Sequence, residues 1–129
     1  MRKIWIPVLV ALILITACED GQKNSQEAVY VNITAQQAKE IMNTEQGYII
    51  LDTRTQEEYD EGHIPGAILI PHDQIKTTAE RILTDKNQLI LVYCRSGRRS
   101  KLAAEDLVEL GYTNIKEFGG IIDWPYEVE

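Results

Sequence analysis

Cysteine is almost missing from this chain: it has two, Cys18 and Cys94, in 129 residues. A cysteine-dense disulfide scaffold is excluded, because at most one internal bridge is available. Histidine is as scarce, and His63 and His72 stand at no ligand spacing from the cysteines, so no zinc site of the Cys/His type is written here. Positive charge is also in deficit. The 13 Lys and Arg face 20 Asp and Glu for a formal charge of −7, which argues against nucleic acid as a partner. No apolar run reaches the roughly 20 residues that a spanning helix needs. No segment repeats, and nothing calls for a cofactor or a metal. The length suffices for one domain with a core and not for two.

What is present begins with Arg2 and Lys3 ahead of an apolar segment, Ile4 to Ala17, which reads as a secretory signal. Its end, Leu14-Ile15-Thr16-Ala17-Cys18, resembles the lipobox of bacterial lipoproteins, where an aliphatic residue and small ones precede the cysteine that is lipidated. The expectation is a signal peptide over 1–17, cleavage before Cys18 and an acyl chain on Cys18. The polar stretch 18–28 then acts as a tether on the extracytoplasmic side of a bacterial envelope. Each buried acyl methylene contributes about 0.8 kcal/mol, so a multiply acylated cysteine holds firmly to a membrane. In that setting Cys94 has no partner thiol in the chain. If Cys18 carries no lipid, a Cys18–Cys94 disulfide in a structural lipoprotein is the alternative.

Residues 29–129 read as one folded unit. Val29-Tyr30-Val31-Asn32-Ile33 predicts a short strand, and Thr34-Ala35-Gln36-Gln37 fits a capping box opening a helix to about Met42, with Ala38 and Ile41 inward. Tyr48-Ile49-Ile50-Leu51 is wholly apolar, as in a buried parallel strand, and closes on Asp52-Thr53-Arg54. A second capping box, Thr55-Gln56-Glu57-Glu58, opens a short helix ending near Gly62. A strand over Ala67-Ile68-Leu69-Ile70 is stopped by Pro71, and a helix follows over Lys76 to Leu83. Leu89 to Tyr93 is another apolar strand. Ser100 to Leu110 carries Ala103, Leu107 and Leu110 on one helical face, with Gly111 as its stop. A last strand, Asn114 to Phe118, precedes Gly119-Gly120 and a short helical turn near Trp124-Pro125. Strands alternating with helices mean an α/β fold with a largely parallel five-stranded central sheet flanked by helices.

In such sheets ligands bind beyond the carboxyl ends of the strands. Cys94 falls there, followed by Arg95-Ser96-Gly97-Arg98-Arg99-Ser100 and a helix. Backbone N–H groups at such a turn, with a helix N-terminus behind them, seat an anion, and a thiolate is itself an anion. Gly97 lets the backbone wrap the sulfur without a Cβ in the way.

Four segments in register then carry a resemblance. Asp52-Thr53-Arg54 with Glu58-Tyr59 matches D-x-R…E-[FY], and Gly62-His63-Ile64-Pro65-Gly66-Ala67 matches G-H-I-x-G-A. Cys94 to Ser100 matches C-x-x-G-x-R-[ST], and Gly119-Gly120 before Trp124 matches a C-terminal signature. From Tyr30 to Trp124 the chain resembles the single-domain rhodaneses, which are sulfurtransferases. The resemblance implies that the Cys94 thiolate takes the sulfane sulfur from a small anionic donor such as thiosulfate. The Cys94 persulfide then yields it to a thiol or cyanide acceptor. Arg95 and Arg98, in the loop, greet the donor. Arg99 turns back to brace the loop against Asp52 or Glu58. Arg54 lines the pocket mouth or pairs with Glu58, and Asp52 braces loops. His63 is a structural loop residue, His72 has no evident partner, and Trp124 packs at the core or rim.

Two other readings stay open at this point. Cysteine-based phosphatases and arsenate reductases also pair a loop cysteine with an arginine, but place one more residue between them than the four, Arg95 to Arg98, found here. A non-catalytic sulfur- or redox-sensing module is the other. The sequence is silent on oligomeric state.

Overall fold

Both capping boxes form and set the entry of two helices in the computed structural model, which describes residues 29–129. The expected signal segment 1–17, the lipidation site Cys18 and the tether 18–28 lie outside the described residues. Thr34 opens α1 (Ala35–Thr44): its hydroxyl accepts from the Gln37 N–H at 3.1 Å, while Gln37 Oε1 accepts from the Thr34 N–H at 2.9 Å. Thr55 opens α2 (Gln56–Glu61) with Glu58 in the reciprocal role. The reciprocal pair satisfies two donors that a helix start otherwise leaves orphaned.

Five strands make one all-parallel sheet in the order β1-β5-β4-β2-β3. They are β1 (Val31–Asn32), β2 (Ile49–Asp52), β3 (Ile68–Leu69), β4 (Ile90–Cys94) and β5 (Ile115–Gly120). The first strand is shorter than its apolar sequence suggests, because it lies at an edge and pairs only with β5. The last strand is longer than expected and runs through Gly119-Gly120, because Gly120 pairs with Cys94.

β4 lies at the centre and is buried at every position. Alternate side chains enter two separate cores. Ile90 and Val92 join Leu51, Ile75, Ala79, Ala103 and Leu107, under α3 (Ile75–Ile82) and α4 (Arg98–Glu109). Leu91 and Tyr93 join Ala38, Ile50, Ile64, Phe118 and Trp124 on the α1 side. A strand that must satisfy two apolar layers has no polar face, hence the unbroken run in its sequence. Burying each such side chain contributes about 1.5–3 kcal/mol. In α3, Ile75 and Ala79 face inward while Ile82 is half-exposed. Short 3-10 turns at His72–Gln74 and Ile121–Asp123 complete the chain.

One irregularity matters for function. Val92 pairs with Glu117, but Cys94 pairs with Gly120, so β5 holds one extra residue at the carboxyl end of the sheet. Such a bulge bends its strand and re-aims side chains. Here it carries Gly119-Gly120 beneath the loop that follows Cys94.

Candidate active site

Cys94 is the last residue of β4 and is buried. Its Sγ accepts a hydrogen bond from the Gly97 N–H at 3.0 Å and lies 3.3 Å from Ser100 Oγ. The loop can curl this tightly because Gly97 takes φ +103°, a left-handed conformation that side chains rarely adopt. Among the described residues Cys94 is the free cysteine.

The helix starts earlier than its sequence suggests. Gly97 is the N-cap of α4, so Arg98 and Arg99 occupy its first turn and are not loop residues, and Ser100 follows at the third position. Serine is a common cap, but here its hydroxyl is engaged elsewhere. Ser100 Oγ lies 3.0 Å from Gly97 O, 2.7 Å from Glu117 Oε1 and 3.5 Å from Gly119 O, besides the cysteine sulfur.

The three loop-proximal arginines separate cleanly. Arg99 donates from Nη1 and Nη2 to the two carboxylate oxygens of Glu58 at 2.6 and 2.8 Å, a bidentate pair that ties α4 to the start of α2. Of the two carboxylates considered as its partner, Glu58 is the one used. The guanidinium holds the Glu58 carboxyl down from 4.5 to about 2, against the opposing pull of partial burial. Arg95, Ser96 and Arg98 are exposed around the sulfur. The Arg95 carbonyl accepts from the Ile122 N–H at 3.2 Å, which ties the loop to the turn after β5.

Arg54 neither lines an opening nor pairs with Glu58. It is 5% exposed and folds back onto Asp52, with Nε 3.0 Å from each carboxylate oxygen and Nη2 2.6 Å from Oδ2. Burial explains the correction: Asp52 is fully buried and needs a counter-charge at hand, whereas Glu58 already has Arg99. Asp52 also accepts from the Tyr93 hydroxyl at 2.8 Å, and that hydroxyl accepts from the Ile64 N–H at 3.1 Å. Arg54 Nη2 reaches Gly62 O at 2.7 Å. Asp52 thus ties β2 and β4 to the segment from Gly62 to Ala67.

His63 is spent within that segment: it stacks on Tyr59 with ring centroids 3.8 Å apart, and its Nδ1 lies 2.9 Å from Tyr59 O. Its Nε2 lies 3.3 Å from Glu129, and none of these partners belongs to the cysteine loop. The His72 N–H donates to Thr53 O. Trp124 packs between Phe118 and Tyr126 in the α1-side core.

Two residues of the site were not anticipated from sequence, Glu117 and Tyr93. Glu117 is 2% exposed, and its Oε1 accepts from the Gly119 N–H at 2.8 Å as well as meeting Ser100. The available signal was a lone charge alternating with Ile115 on a strand that has no room for one.

The geometry makes a stability prediction. Glu58 is depressed in the fold, so its pairing stabilises above 4.5 and that contribution drains away as pH falls towards about 2. Arg99→Ala is expected to lower stability at neutral pH by about 1–3 kcal/mol. The gap to the unaltered chain should narrow at about pH 3. Urea midpoints at the two pH values check both statements.

A cavity of about 540 Å³ lined by Tyr30, Glu105 and Val108, and one of about 170 Å³ by Tyr48, Ile64 and Trp124, include no residue from Cys94 to Ser100. The cysteine borders neither of these two cavities.

Comparison with known proteins places this arrangement. Residues 34–125 match the family described as Rhodanese-like domain. The thiosulfate sulfurtransferase PspE of Escherichia coli (strain K12) is 41% identical over 73 residues, covering 57% of this chain and 70% of that protein. A sulfurtransferase of Allochromatium vinosum is 36% identical over 77 residues, 59% of this chain and 70% of its own length. Several other curated relatives are far longer, and the chain spans 18–26% of them. Among solved structures, a rhodanese with anions from E. coli superposes with a TM-score of 0.60 at 36% identity, covering 64% of this chain and 96% of that one. The family match spans most of the described residues, from the start of α1 to the turn after β5, and this chain belongs to the rhodanese-like domain family.

Proposed function

We propose that this domain transfers a sulfane sulfur from a small anionic donor of the thiosulfate class to a thiol or cyanide acceptor. The carrier is a persulfide on Cys94. The observation that carries this reading is the Gly97 N–H aimed at Sγ from 3.0 Å inside a loop wrapped around the sulfur. A donor so placed offers a charge-assisted bond to an anionic sulfur, whether thiolate or persulfide. The thiolate attacks the outer sulfur of the donor, the donor's S–S bond breaks, and sulfite leaves with the electron pair. The sulfane sulfur then passes to the acceptor nucleophile and the thiolate returns. Two easier displacements replace one difficult transfer.

Arg95 and Arg98 supply exposed positive charge beside the loop, which draws in an anion despite the acidic whole. Arg99 is not available to clamp a tetrahedral oxyanion, since Glu58 occupies both of its terminal nitrogens. That geometry favours sulfur transfer over phosphate or arsenate chemistry. The lipobox at Cys18 adds a membrane-held, extracytoplasmic setting to this reading, and metabolic labelling with an acyl analogue reads it out directly.

Thiosulfate is the decisive probe. Incubation of the purified chain is expected to add the mass of one sulfur to the peptide bearing Cys94, and cyanide should then release thiocyanate. Absence of both products overturns the reading.

A further inference from the structure

Charge is unevenly placed on this chain. It is acidic as a whole, yet from Leu89 to Ala104 it holds Arg95, Arg98, Arg99 and Lys101 and no Asp or Glu. Glu58 neutralises Arg99. Arg95, Arg98 and Lys101 are exposed and form no ion pair among the described residues. Two exposed apolar side chains join them, Leu102 and Ile122. Leu102 and Lys101 follow Arg98 by four and three positions, so the three are neighbours on α4. Leu102 lies away from the buried side of that helix, which is Ser100, Ala103, Ala104 and Leu107. Ile122 is held against the loop by its N–H bond to Arg95 O at 3.2 Å.

A donor of the thiosulfate class gives most of this strip no task. Arg95 and Arg98 suffice to draw in a small anion, and Leu102 stands about 6 Å further along the helix axis than Arg98. Single exposed apolar residues are ordinary on a surface. What marks these two is their place, each joined directly to the segment that carries the unpaired cations.

We propose that this strip docks the sulfur acceptor, and that the acceptor is an acidic protein presenting a cysteine thiol. That assignment rests on the Cys94 persulfide proposed above and names the class of its second substrate. Carboxylates of the acceptor meet Arg98 and Lys101, and apolar side chains cover Leu102 and Ile122. The acceptor thiolate attacks the outer sulfur of the persulfide. That S–S bond breaks with its electron pair left on Cys94 Sγ, and the acceptor leaves as a persulfide. The sulfane sulfur changes hands with no net oxidant or reductant.

Charge also sets the orientation. Beyond the Arg99–Glu58 pair, α2 exposes Glu57, Asp60 and Glu61, and Asp123 is exposed beside Ile122. These carboxylates repel an acidic protein and confine it to the strip from Arg95 to Leu102. An anionic bilayer offers the same two chemistries. Laid over this strip, however, it would close the loop around Sγ to its donor.

The test compares acceptors. The full chain is loaded with thiosulfate, and transfer is timed to two peptides of equal length, each with one cysteine and one leucine. Glutamates flank the cysteine in one and glutamines in the other, and cyanide is run alongside. Each rate is divided by that peptide's uncatalysed reaction with a small disulfide, which removes differences in thiolate content. At low salt the acidic peptide is expected to show a kcat/KM about tenfold above the neutral one. The gap should close at about 1 M salt, where charges act over only about 3 Å. Lys101→Glu should slow the acidic peptide about tenfold, and Leu102→Ser with Ile122→Ser should slow both peptides about threefold. Persulfide formation and transfer to cyanide stay unchanged in these variants. Lys101→Gln repeats the comparison without a new charge if the reversal disturbs the fold. Equal rates for the two peptides, or a loss for cyanide as large as for the acidic peptide, overturns the docking strip. So does loss of binding to phosphatidylserine vesicles in Lys101→Glu with peptide transfer unchanged, which assigns the strip to lipid. If thiosulfate loads no persulfide, the sulfur-transfer reading falls and this one with it. If it loads and the two peptides react alike, only the acidic acceptor falls.

Discussion

Cys94→Ser is expected to remove all sulfur transfer while leaving the fold intact. The hydroxyl is close in size to the thiol, and it can still accept the Gly97 N–H and meet Ser100. Cys94 is 1% exposed at the end of a strand whose other members, Ile90, Leu91, Val92 and Tyr93, hold both cores, so the strand does not depend on its last side chain. The stability change should stay within about 1 kcal/mol. The chemistry has no such reserve. An alkoxide is far less accessible than a thiolate near neutral pH, and an oxygen cannot carry sulfur as a persulfide. Removing a nucleophile of this kind lowers turnover by at least about 10³-fold. Mass spectrometry after thiosulfate treatment should find no sulfur added at position 94, and a thiocyanate assay should read background. Persistent thiocyanate production by this variant would move the nucleophile elsewhere and dismantle the site built around Cys94.

That site was only partly legible in the sequence, and the division has a physical basis. Local rules carried far. Thr34 with Gln37 and Thr55 with Glu58 are capping boxes by spacing alone, and both form. The unbroken run Ile90-Leu91-Val92-Tyr93 marks a doubly buried parallel strand, and Cys94 at its end marks the site. What escaped are pairings between distant segments. Spacing along a helix offers Arg54 to Glu58, but burial of Asp52 claims Arg54 first, and Glu58 receives Arg99 from 41 positions away. Ser100 looks like a cap, yet the left-handed Gly97 opens the helix and frees the serine for the sulfur and Glu117. Glu117 shares the buried face of Ile115 by simple alternation, and what the sequence does not show is that Ser100 and the Gly119 N–H meet it there. Periodicity finds elements. It cannot find which buried charge a third segment will answer.

The bulge in β5 carries the largest stability effect expected of any single substitution proposed. Gly120 runs beneath the active loop so closely that a Cβ there would lie 2.0 Å from Arg95 O, 2.4 Å from Arg95 C and 2.6 Å from Ser96 Cα. All three are main-chain atoms, so no side chain can swing aside. The conformation of Gly120 is ordinary extended backbone, φ −125°, so the need for glycine is one of space alone. Gly120→Ala must therefore push the loop outward. That breaks the pairing of Gly120 with Cys94 and strains the bond from Ile122 N–H to Arg95 O. Overpacking of this kind costs about 1–3 kcal/mol, and more where main chain must move, so a loss of roughly 3–5 kcal/mol is expected. For a domain near 100 residues each kcal/mol is worth about 4–8 °C, which predicts a fall in Tm beyond ~12 °C. Gly119→Ala is the matched control. Gly119 takes φ +85° with nothing within 4 Å of the added carbon, so alanine there meets backbone strain and no collision. It should lose only about 1–2 kcal/mol. Thermal unfolding of the two variants side by side separates the effects, and persulfide formation in the surviving folded fraction reports the loop. Equal losses at both positions would mean that the loop does not press on β5. The cup around Cys94 would then owe its shape to Gly97 alone.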